Sequence, residues 1–358
     1  MALHFHTLTI KDVRQETADC VSVSFNIPPD LAGEFEYKHG QNLTLRKYFD
    51  GEEVRRSYSI CTSPHDKELR IAIKKAYNGI FSNYANTSLK AGDELEVMPP
   101  SGNFYTKLDP SNKKNYVAFA AGSGITPVIS IIKTTLASEP GSTFTLVYGN
   151  RTQSSIIFKD DLGEIKDRYM QRFSLFNVLS RETMEADINY GRIDQAKCFQ
   201  LQKVIDMKNV DEFFLCGPTE MIFNVKEFLE SNGIDNKKIH FELFTTPVKQ
   251  RTALYRPSEV KKDEDSSNIT VKLDGRTFEF KLEFNSNNIL DAALAQGADL
   301  PFACKGGVCC TCKAKLIEGK IEMEVNYGLE PDEVAAGYIL TCQSHPRSDK
   351  VVVDFDVK

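Results

Sequence analysis

The sequence contains no tryptophan, and it has no run of the roughly 20 apolar residues that a helix needs to cross a bilayer. Its first residues also lack the basic segment and apolar run of a secretory signal. We therefore expect neither a membrane protein nor an exported one, and the predicted location is the cytoplasm. Basic residues do not predominate either, because 44 Lys and Arg residues face 50 Asp and Glu residues and the net charge is −6. That balance disfavours nucleic acid as the main partner, since phosphate binding favours a basic surface.

The nine cysteines are too unevenly spread for a disulfide framework, which the reducing cytoplasm disfavours in any case. Cys304, Cys309 and Cys312 form a C-x4-C-x2-C pattern, and Cys342 follows after 29 intervening residues. Thiolates in this spacing are typical ligands of a plant-type [2Fe–2S] cluster. Structural zinc sites usually pair two C-x2-C knuckles, and only one occurs here. Zinc or metal-free thiols are the alternatives.

The chain is long enough for three domains, and its patterning changes along its length. Residues 1–110 show short strands separated by turn residues, which predicts an antiparallel β-barrel. In 111–246 strands alternate with helices, which predicts an α/β domain with a parallel sheet covered on both faces. A polar, charged segment at 247–267 is interpreted as a linker. Residues 268–358 are predicted to form a compact α+β domain that begins with a hairpin.

The expected elements of the second domain are the most sharply defined. Its strands are predicted near 116–121, 143–149, 173–179, 211–216 and 239–244. Its helices are predicted near 127–137, 155–167, 194–206 and 218–231.

The tetrapeptide Arg56-Ser57-Tyr58-Ser59 lies on a predicted strand of the barrel. Strand alternation places Arg56 and Tyr58 on one face, where a guanidinium fork and an aromatic ring can hold one cofactor. An exposed edge strand that happens to carry these residues is the alternative.

A short predicted helix begins at Gly79, after the strand that ends at Ile73-Lys74, and it carries Phe81 and Ser82. The amides at a helix N-terminus can bind a pyrophosphate. A serine that merely caps a surface helix would give the same pattern.

In the second domain, Gly122-Ser-Gly124-Ile-Thr126-Pro127 follows an apolar strand and precedes a helix. A glycine-rich segment between a strand and a helix is typical of a dinucleotide-binding loop. Pro127 suits the first helical turn, where its missing N–H costs nothing.

Three further groups of residues lie at the ends of later strands of this domain. They are Cys216-Gly217-Pro218 with Met221, then Glu242 with Phe244, and finally Ser180-Arg181 with Arg151. The first group is also compatible with a buried cysteine before an ordinary helix, and the arginines with solvated surface residues.

On these motifs, residues 1–247 resemble the ferredoxin-NADP reductase family, whose flavin domain carries an R-x-Y-[ST] signature. Residues 268–358 resemble plant-type ferredoxin domains, including the segments Leu300–Cys304 and Leu340–Gln343 around the cysteines. Cys310 stands where ferredoxins usually have a small residue, and we expect it not to be a ligand.

The resemblance implies roles for individual residues. Arg56 would pair with the phosphates of the flavin nucleotide, Tyr58 would stack on the isoalloxazine ring, and Ser59 would hydrogen-bond near its N5 atom. Cys216 would lie beside the nicotinamide, and Phe244, with Glu242 before it, would cover the flavin face that the nicotinamide must reach.

The same resemblance favours FAD over FMN and implies that Ser180 and Arg181 bind the 2′-phosphate of NADP, with Arg151 adding a second positive charge. Arginine suits a phosphate because its planar fork donates two parallel hydrogen bonds. NADPH is therefore favoured over NADH as the cosubstrate.

Together these expectations describe a reductase in which electrons pass from NADPH through FAD and the cluster to a terminal oxygenase component. Reductases of other oxygenases, hydroxylases or desaturases share all these motifs, and a non-enzymatic redox sensor is the remote alternative. The last domain carries 10 basic and 14 acidic residues. We therefore expect an acidic face at Glu318, Glu322 and Glu324 that docks on a basic acceptor.

Overall fold

The computed structural model describes residues 4–245 and 266–357, which form three successive sheet-based units. The predicted linker, 247–267, lies outside the described residues except for Ser266 and Ser267, which already belong to a strand. None of the helices in the described ranges combines the length and apolar character needed to span a bilayer.

The first unit is a six-stranded antiparallel sheet in the order β4-β3-β6-β1-β2-β5. Its strands are β1 His6–Thr17, β2 Cys20–Asn26, β3 Asn42–Phe49, β4 Glu52–Ser59, β5 Leu69–Lys74 and β6 Glu94–Val97. An antiparallel bridge between Ile60 and Ile71 joins the two outer strands. The sheet therefore closes, as the predicted barrel requires, with helix α1 (Ile80–Thr87) following β5.

The second unit is a parallel sheet in the order β11-β10-β7-β8-β9. Its strands are β7 Asn115–Ala121, β8 Thr143–Asn150, β9 Phe173–Leu179, β10 Glu212–Cys216 and β11 Ile239–Glu242. Its helices are α2 Ile125–Ser138, α3 Lys159–Arg168, α4 Gln195–Leu201 and α5 Thr219–Ser231.

Both faces of this sheet are covered, as predicted, because alternate residues of β7 point into different cores. Tyr116 and Ala118 pack with α2 and α3, whereas Val117 and Phe119 pack with α4 and α5. Helix α4 ends earlier than the predicted 194–206, since the amides of Lys203 and Val204 bond to carbonyls three residues back and tighten the chain into a turn.

The third unit is a five-stranded mixed sheet in the order β13-β12-β18-β14-β16, beside the two-stranded pair β15-β17. Its strands are β12 Ser266–Leu273, β13 Arg276–Glu283, β14 Lys313–Glu318, β15 Ile321–Met323, β16 Tyr338–Leu340, β17 Ser344–Pro346 and β18 Lys350–Asp354. Helices α6 (Ile289–Ala295) and α7 (Pro331–Ala335) complete it. The predicted hairpin turns at Asp274-Gly275, where both residues have positive φ, as a type I′ turn demands.

The first two units are joined by a packed polar and aromatic seam. Ser130 of α2 donates to the carbonyl of Thr62 at 2.6 Å, and the rings of Phe104 and Phe214 meet edge to face at 5.6 Å. The carboxyl ends of β7, β10 and β11 consequently face the barrel.

Within that seam, Gly124 passes so close to the end of β10 that no side chain fits. A Cβ atom there would lie 2.0 Å from the carbonyl oxygen of Cys216.

Gly124→Ala should therefore push the loop away from β10, at a cost of about 1–3 kcal/mol for overpacking. We expect a lower melting temperature and weaker binding of the nicotinamide nucleotide, measured by calorimetry and titration. Gly163→Ala in α3 is the control, since open space surrounds its Cβ position and alanine favours a helix. Equal melting temperatures and equal nucleotide affinities in the two variants would contradict this account of the loop.

Candidate functional site

The four cysteines of the C-x4-C-x2-C pattern come together in the third unit, on the loop before β14 and on the turn after β16. The thiol of Cys309 lies 3.1 Å from that of Cys304, and Cys312 contacts Cys342. Backbone amides also point at this group, since Gly306 N donates to the Cys304 sulfur at 3.3 Å. Such amides stabilise thiolates.

The protonation of these thiols follows from their pairwise contact. A hydrogen bond from Cys309, together with backbone amides, lowers the pKa of Cys304 to about 6. The same contact raises the pKa of Cys309, and contact with Cys342 raises that of Cys312, because neighbouring sulfurs cannot both ionise easily.

This donor set fits an iron–sulfur cluster better than a single ion. The thiols lie as two pairs, Cys304 with Cys309 and Cys312 with Cys342, and a [2Fe–2S] cluster takes two protein ligands on each iron.

Cys310 lies outside both pairs. Burial raises the pKa of its thiol to about 11. Its backbone carbonyl accepts a hydrogen bond from Lys313 N at 3.0 Å, which starts strand β14. That Cys310 is not a ligand stays a prediction.

A cavity of about 420 Å³ opens beside this cysteine group and is lined by all three units. The barrel contributes Asn42, Arg56, Ser57 and Ser59; the parallel sheet contributes Glu242, Leu243, Phe244 and Thr245; the cysteine loop contributes Ala303, Cys304, Gly306, Val308 and Cys309. This volume is within the usual range for cofactor sites. An aromatic cofactor ring placed here would contact the parallel sheet and the cluster ligands at once.

At the floor of the cavity, Ser59 donates a hydrogen bond to the Glu242 carboxylate at 3.1 Å. Burial raises the pKa of Glu242 to about 7, and the bond from Ser59 only partly offsets this effect. A carboxyl group that titrates near neutrality inside a cleft is typical of functional sites. Ser59 and Glu242, which the sequence predicted separately, are thus brought together by the ends of β4 and β11.

Of the other predicted flavin residues, Phe244, Arg56 and Ser57 line this cavity, whereas Tyr58 does not. Phe244 is 41% exposed and stands at the cavity mouth. The ring of Tyr58 packs against Phe81 of α1, with 5.7 Å between centroids. Arg56 is exposed and lines the cavity, while Ser57 bonds to Thr44 across the β3–β4 ladder.

The loop before α1 is closed by its own hydrogen bonds. Ser82 accepts from the amide of Ala76 at 3.1 Å and donates to the carbonyl of Gly79 at 3.3 Å. Asn86 ties the helix to the end of β5 through the carbonyl of Ile73, and Lys74 ends that strand. The helix N-terminus that was predicted to hold a pyrophosphate is therefore built from the predicted residues, with Ser82 turned towards its own loop.

The predicted dinucleotide loop is a tight turn between β7 and α2. Gly122 has a φ of +53°, and the hydroxyl of Thr126 donates to the carbonyl of Ser123 at 2.9 Å. Pro127 lies in the first turn of α2, as expected. The loop presses against the end of β10 through Gly124.

At that end of β10, Cys216 is fully buried, and burial followed by the charge of Glu242 raises the pKa of its thiol. Cys216 is the direct ladder partner of Glu242 on β11. Gly217 lies against Met221, and Pro218 caps the start of α5. Cys216, Glu242 and Ser59 are consequently neighbours in space.

The predicted coenzyme-phosphate residues lie on adjacent loops after β8 and β9. The amide of Arg181 donates to the carbonyl of Arg151 at 2.8 Å, and Ser180 donates to Asn150. Both arginine side chains are exposed. The carboxylate of the acidic neighbour, Glu182, accepts a hydrogen bond from the amide of Gln153 at 2.7 Å.

A second cavity, of about 190 Å³, opens beside these loops between α3 and the sheet. It is lined by Gln153, Ile156, Lys159, Leu162, Leu175, Asn177, Leu179 and Met184.

The sequence reasoning missed several residues of the main cavity. Asn42, Ala303 and Val308 line it, and Gln343 donates to the sulfur of Cys342 at 3.5 Å. Nothing in their residue type marks them, because they act through position. Only adjacency to a recognised cysteine, as for Ala303 beside Cys304 and Gln343 beside Cys342, could have pointed to two of them.

The expected acidic face of the third unit is partly neutralised. Glu318 pairs with Lys350 at 2.7 Å, Glu322 with Arg347 at 2.8 Å, and Glu324 contacts His345 at 2.8 Å. The excess charge of these carboxylates is therefore smaller than their number suggests.

Comparison with known families divides the chain in the same order. Residues 7–105 match the oxidoreductase FAD-binding domain, 119–227 match the oxidoreductase NAD-binding domain, and 271–347 match the 2Fe-2S iron-sulfur cluster binding domain. FAD, a nicotinamide nucleotide and a [2Fe–2S] cluster are thus the cofactors of this chain.

Relatives and solved structures share this three-part arrangement. The chain is 47% identical to a subunit of the 1,2-phenylacetyl-CoA epoxidase of Escherichia coli, over 99% of this chain and 98% of that protein. It is 34% identical to the ferredoxin reductase component of 3-ketosteroid-9-alpha-monooxygenase from Rhodococcus rhodochrous, over 97% and 96% of the two chains. The structure of phthalate dioxygenase reductase superposes with a TM-score of 0.59 at 23% identity, covering 98% of both chains.

The Rhodococcus relative is the ferredoxin reductase component of a monooxygenase, the E. coli relative is a subunit of an epoxidase, and each is covered almost completely. The chain is therefore an NAD(P)H-dependent oxidoreductase of the oxygenase-reductase type. It belongs to the ferredoxin-NADP reductase family, in the branch that carries a C-terminal [2Fe–2S] ferredoxin domain.

Proposed function

We propose that this chain takes electrons from NADPH and passes them, through FAD and the [2Fe–2S] cluster, to the oxygenase component of a phenylacetyl-CoA epoxidase. One observation carries the proposal. A single cavity is lined by Ser59 of the barrel, Glu242 of the parallel sheet and the cluster cysteines Cys304 and Cys309. A flavin in this cavity would be within reach of both its electron donor and its electron acceptor. The proposed domains are 1–110, 111–246 and 268–358, with 247–267 as the linker except for Ser266 and Ser267, which belong to β12.

The cavity suits the flavin ring because of what its side chains can do. Bound FAD supplies the exchange between two-electron and one-electron chemistry, which no side chain provides. Glu242 accepts from Ser59 and so fixes the position of that hydroxyl in the cavity wall. With a pKa of about 7, Glu242 can also hold or release a proton there at neutral pH. Phe244 shields the mouth of the cavity until a nicotinamide displaces it.

On the other side of the seam, the loop at Gly122 and the end of β10 at Cys216 form the proposed nicotinamide site. Close contact between Gly124 and the Cys216 carbonyl fixes their spacing. Backbone amides in such a glycine-rich turn favour a pyrophosphate, since the turn opens a helix. Cys216 stays neutral because its burial raises its pKa, so it contributes shape rather than charge.

NADPH is the proposed coenzyme because two exposed arginines, Arg151 and Arg181, lie on loops that are joined by a backbone hydrogen bond. Ser180 directly precedes Arg181 and adds a hydroxyl. Glu182, which would repel a phosphate, is held by Gln153. The neighbouring 190 Å³ cavity offers an apolar wall for the adenosine half.

The choice of acceptor rests on similarity. The E. coli relative, at 47% identity, belongs to 1,2-phenylacetyl-CoA epoxidase. The sequence also resembles the reductase component of that enzyme at 322–327 and 333–338, so a place in phenylacetate catabolism follows. A reductase for another oxygenase is the second candidate, because the 3-ketosteroid monooxygenase component is 34% identical over nearly the full length.

The cluster assignment and the function are tested together with Cys304→Ser. Loss of one thiolate should remove the iron–sulfur absorption and bound iron, while NADPH-dependent reduction of ferricyanide, taken directly from the flavin, persists. The wild-type protein should support turnover by a phenylacetyl-CoA epoxidase oxygenase, and the variant should not. Cys310→Ala is the matched control and should retain iron, absorption and turnover. A full cluster in Cys304→Ser would refute the ligand assignment, and wild-type protein that reduces only a different oxygenase would refute the acceptor.

The coenzyme assignment is tested with Arg181→Ala. A lost charge-assisted hydrogen bond weakens affinity by roughly 10- to 100-fold, so KM for NADPH should rise by about that factor. KM for NADH should hardly change, since NADH lacks the phosphate. Arg168→Ala, at the last turn of α3, serves as the control for loss of one surface charge. Equal increases for both coenzymes would show that Arg181 does not read the phosphate.

A further inference from the structure

Arg55 is the buried member of the Arg55-Arg56 pair on β4. Its side chain is only 4% exposed, whereas Arg56 is exposed. A buried guanidinium is stable only when its donors are satisfied, because removing a charge from water is costly. Glu53, two residues earlier on the same face of β4, accepts from Nε at 2.7 Å and from Nη2 at 3.2 Å. Half of the guanidinium fork is thereby held within the barrel.

Nη1, together with the second N–H of Nη2, reaches the ferredoxin-like unit. Nη1 donates to the carbonyl of Leu300 at 3.2 Å, and Nη2 donates to the Asp299 carboxylate at 3.2 Å. The guanidinium also lies over the ring of Phe302, with 4.0 Å to the ring centroid. These three contacts fall within four consecutive residues, with Pro301 among them, shortly before Cys304.

Arg55 therefore links two parts of the proposed electron path. On its own strand, the next residues are Arg56, Ser57 and Ser59, which line the flavin cavity. On the partner segment, the next residues are Ala303 and Cys304, which line the same cavity. Arg55 lies between these two segments, and its planar guanidinium group donates hydrogen bonds to both. Lysine could not replace it, because an ammonium group has no fork that spans two acceptors in fixed directions.

Other contacts of this unit lie on different sides. Asn103 of the barrel donates to Glu333 at 2.9 Å, and Val308 and Tyr327 pack against the core of the nucleotide-binding sheet. These contacts hold the unit in general position. The segment at 299–302 is held to β4 by Arg55.

We propose that Arg55 is a positioning residue that clamps the segment before Cys304 to β4, and so fixes the distance between the flavin and the cluster. The proposal rests on the function proposed above. It predicts that Arg55 governs the transfer of electrons from flavin to cluster and leaves the preceding reduction of the flavin by NADPH untouched.

The test uses the full-length protein loaded with FAD and cluster, in variants Arg55→Met and Arg55→Lys. Methionine retains a long apolar stem, and Glu53 keeps its contacts with Arg46 and Tyr48. Losing the charge-assisted bonds should lower the equilibrium constant for holding the segment at 299–302 against β4 by roughly 10- to 100-fold. In anaerobic stopped-flow mixing with NADPH, flavin reduction should keep its wild-type rate while cluster reduction slows. Arg55→Lys should lie between the wild type and Arg55→Met.

A structural readout accompanies the kinetics. Hydrogen–deuterium exchange of peptides covering 297–304 should be faster in Arg55→Met than in the wild type, with peptides of β7 and β8 unchanged. Arg46→Met is the matched control, because Arg46 also bonds to Glu53 but its other charged partner, Glu96, lies within the barrel. It should leave cluster reduction and exchange at 297–304 unchanged.

Three outcomes would overturn the proposal. The first is cluster reduction at the wild-type rate in Arg55→Met. The second is an equal loss of flavin and cluster reduction with a lowered melting temperature in both Arg55 variants, since that indicates general stability. The third is an equal effect of Arg46→Met. Failure of the proposed function is distinguishable, because NADPH would then fail to reduce the cluster in the wild-type protein as well.

Discussion

The central constraint is that one cavity must be walled by three separately folded sheets. Each sheet sends the carboxyl end of a strand, or the loop beside one, to the same place. Contact of the Gly124 loop with the Cys216 carbonyl aligns the nucleotide-binding loop with the end of β10. Cys216 in turn pairs with Glu242 on the neighbouring strand β11. This pairing places the Glu242 carboxylate where it accepts a hydrogen bond from Ser59. A shift of any one sheet would open the cavity.

The electrostatics of the cavity follow from the same packing. Burial makes Glu242 titrate near neutral pH and keeps the thiol of Cys216 neutral. The cluster thiols, in contrast, receive backbone amides that favour the charged form at Cys304. Burial alone would raise the pKa of Glu53, but the bond and charge of Arg55 outweigh it and hold that pKa below its usual value. The charged form of a side chain is thus favoured where backbone amides or a guanidinium group face it, and it is disfavoured where a nicotinamide would have to approach.

Much of this arrangement was predictable from the sequence because its signals are local. The cysteine spacing identified the cluster, and the alternation of apolar strands and helices identified the parallel sheet. Strand β1 is not marked by its own sequence, because charged, exposed residues such as Lys11 and Arg14 interrupt its apolar pattern. Arg55 was missed for a different reason. Its partners Asp299 and Leu300 are more than 240 residues away in the chain, and no local pattern distinguishes it from Arg56.

The most direct test of the account is a crystal structure of the protein with FAD and cluster bound. The account predicts that the flavin ring occupies the cavity between Ser59, Glu242 and the loop of Cys304 and Cys309, with Arg55 bonded to Asp299 and Leu300. A flavin ring bound elsewhere on the barrel, or a cluster-binding unit that has left β4, would contradict the claim that one cavity joins the three electron-carrying parts.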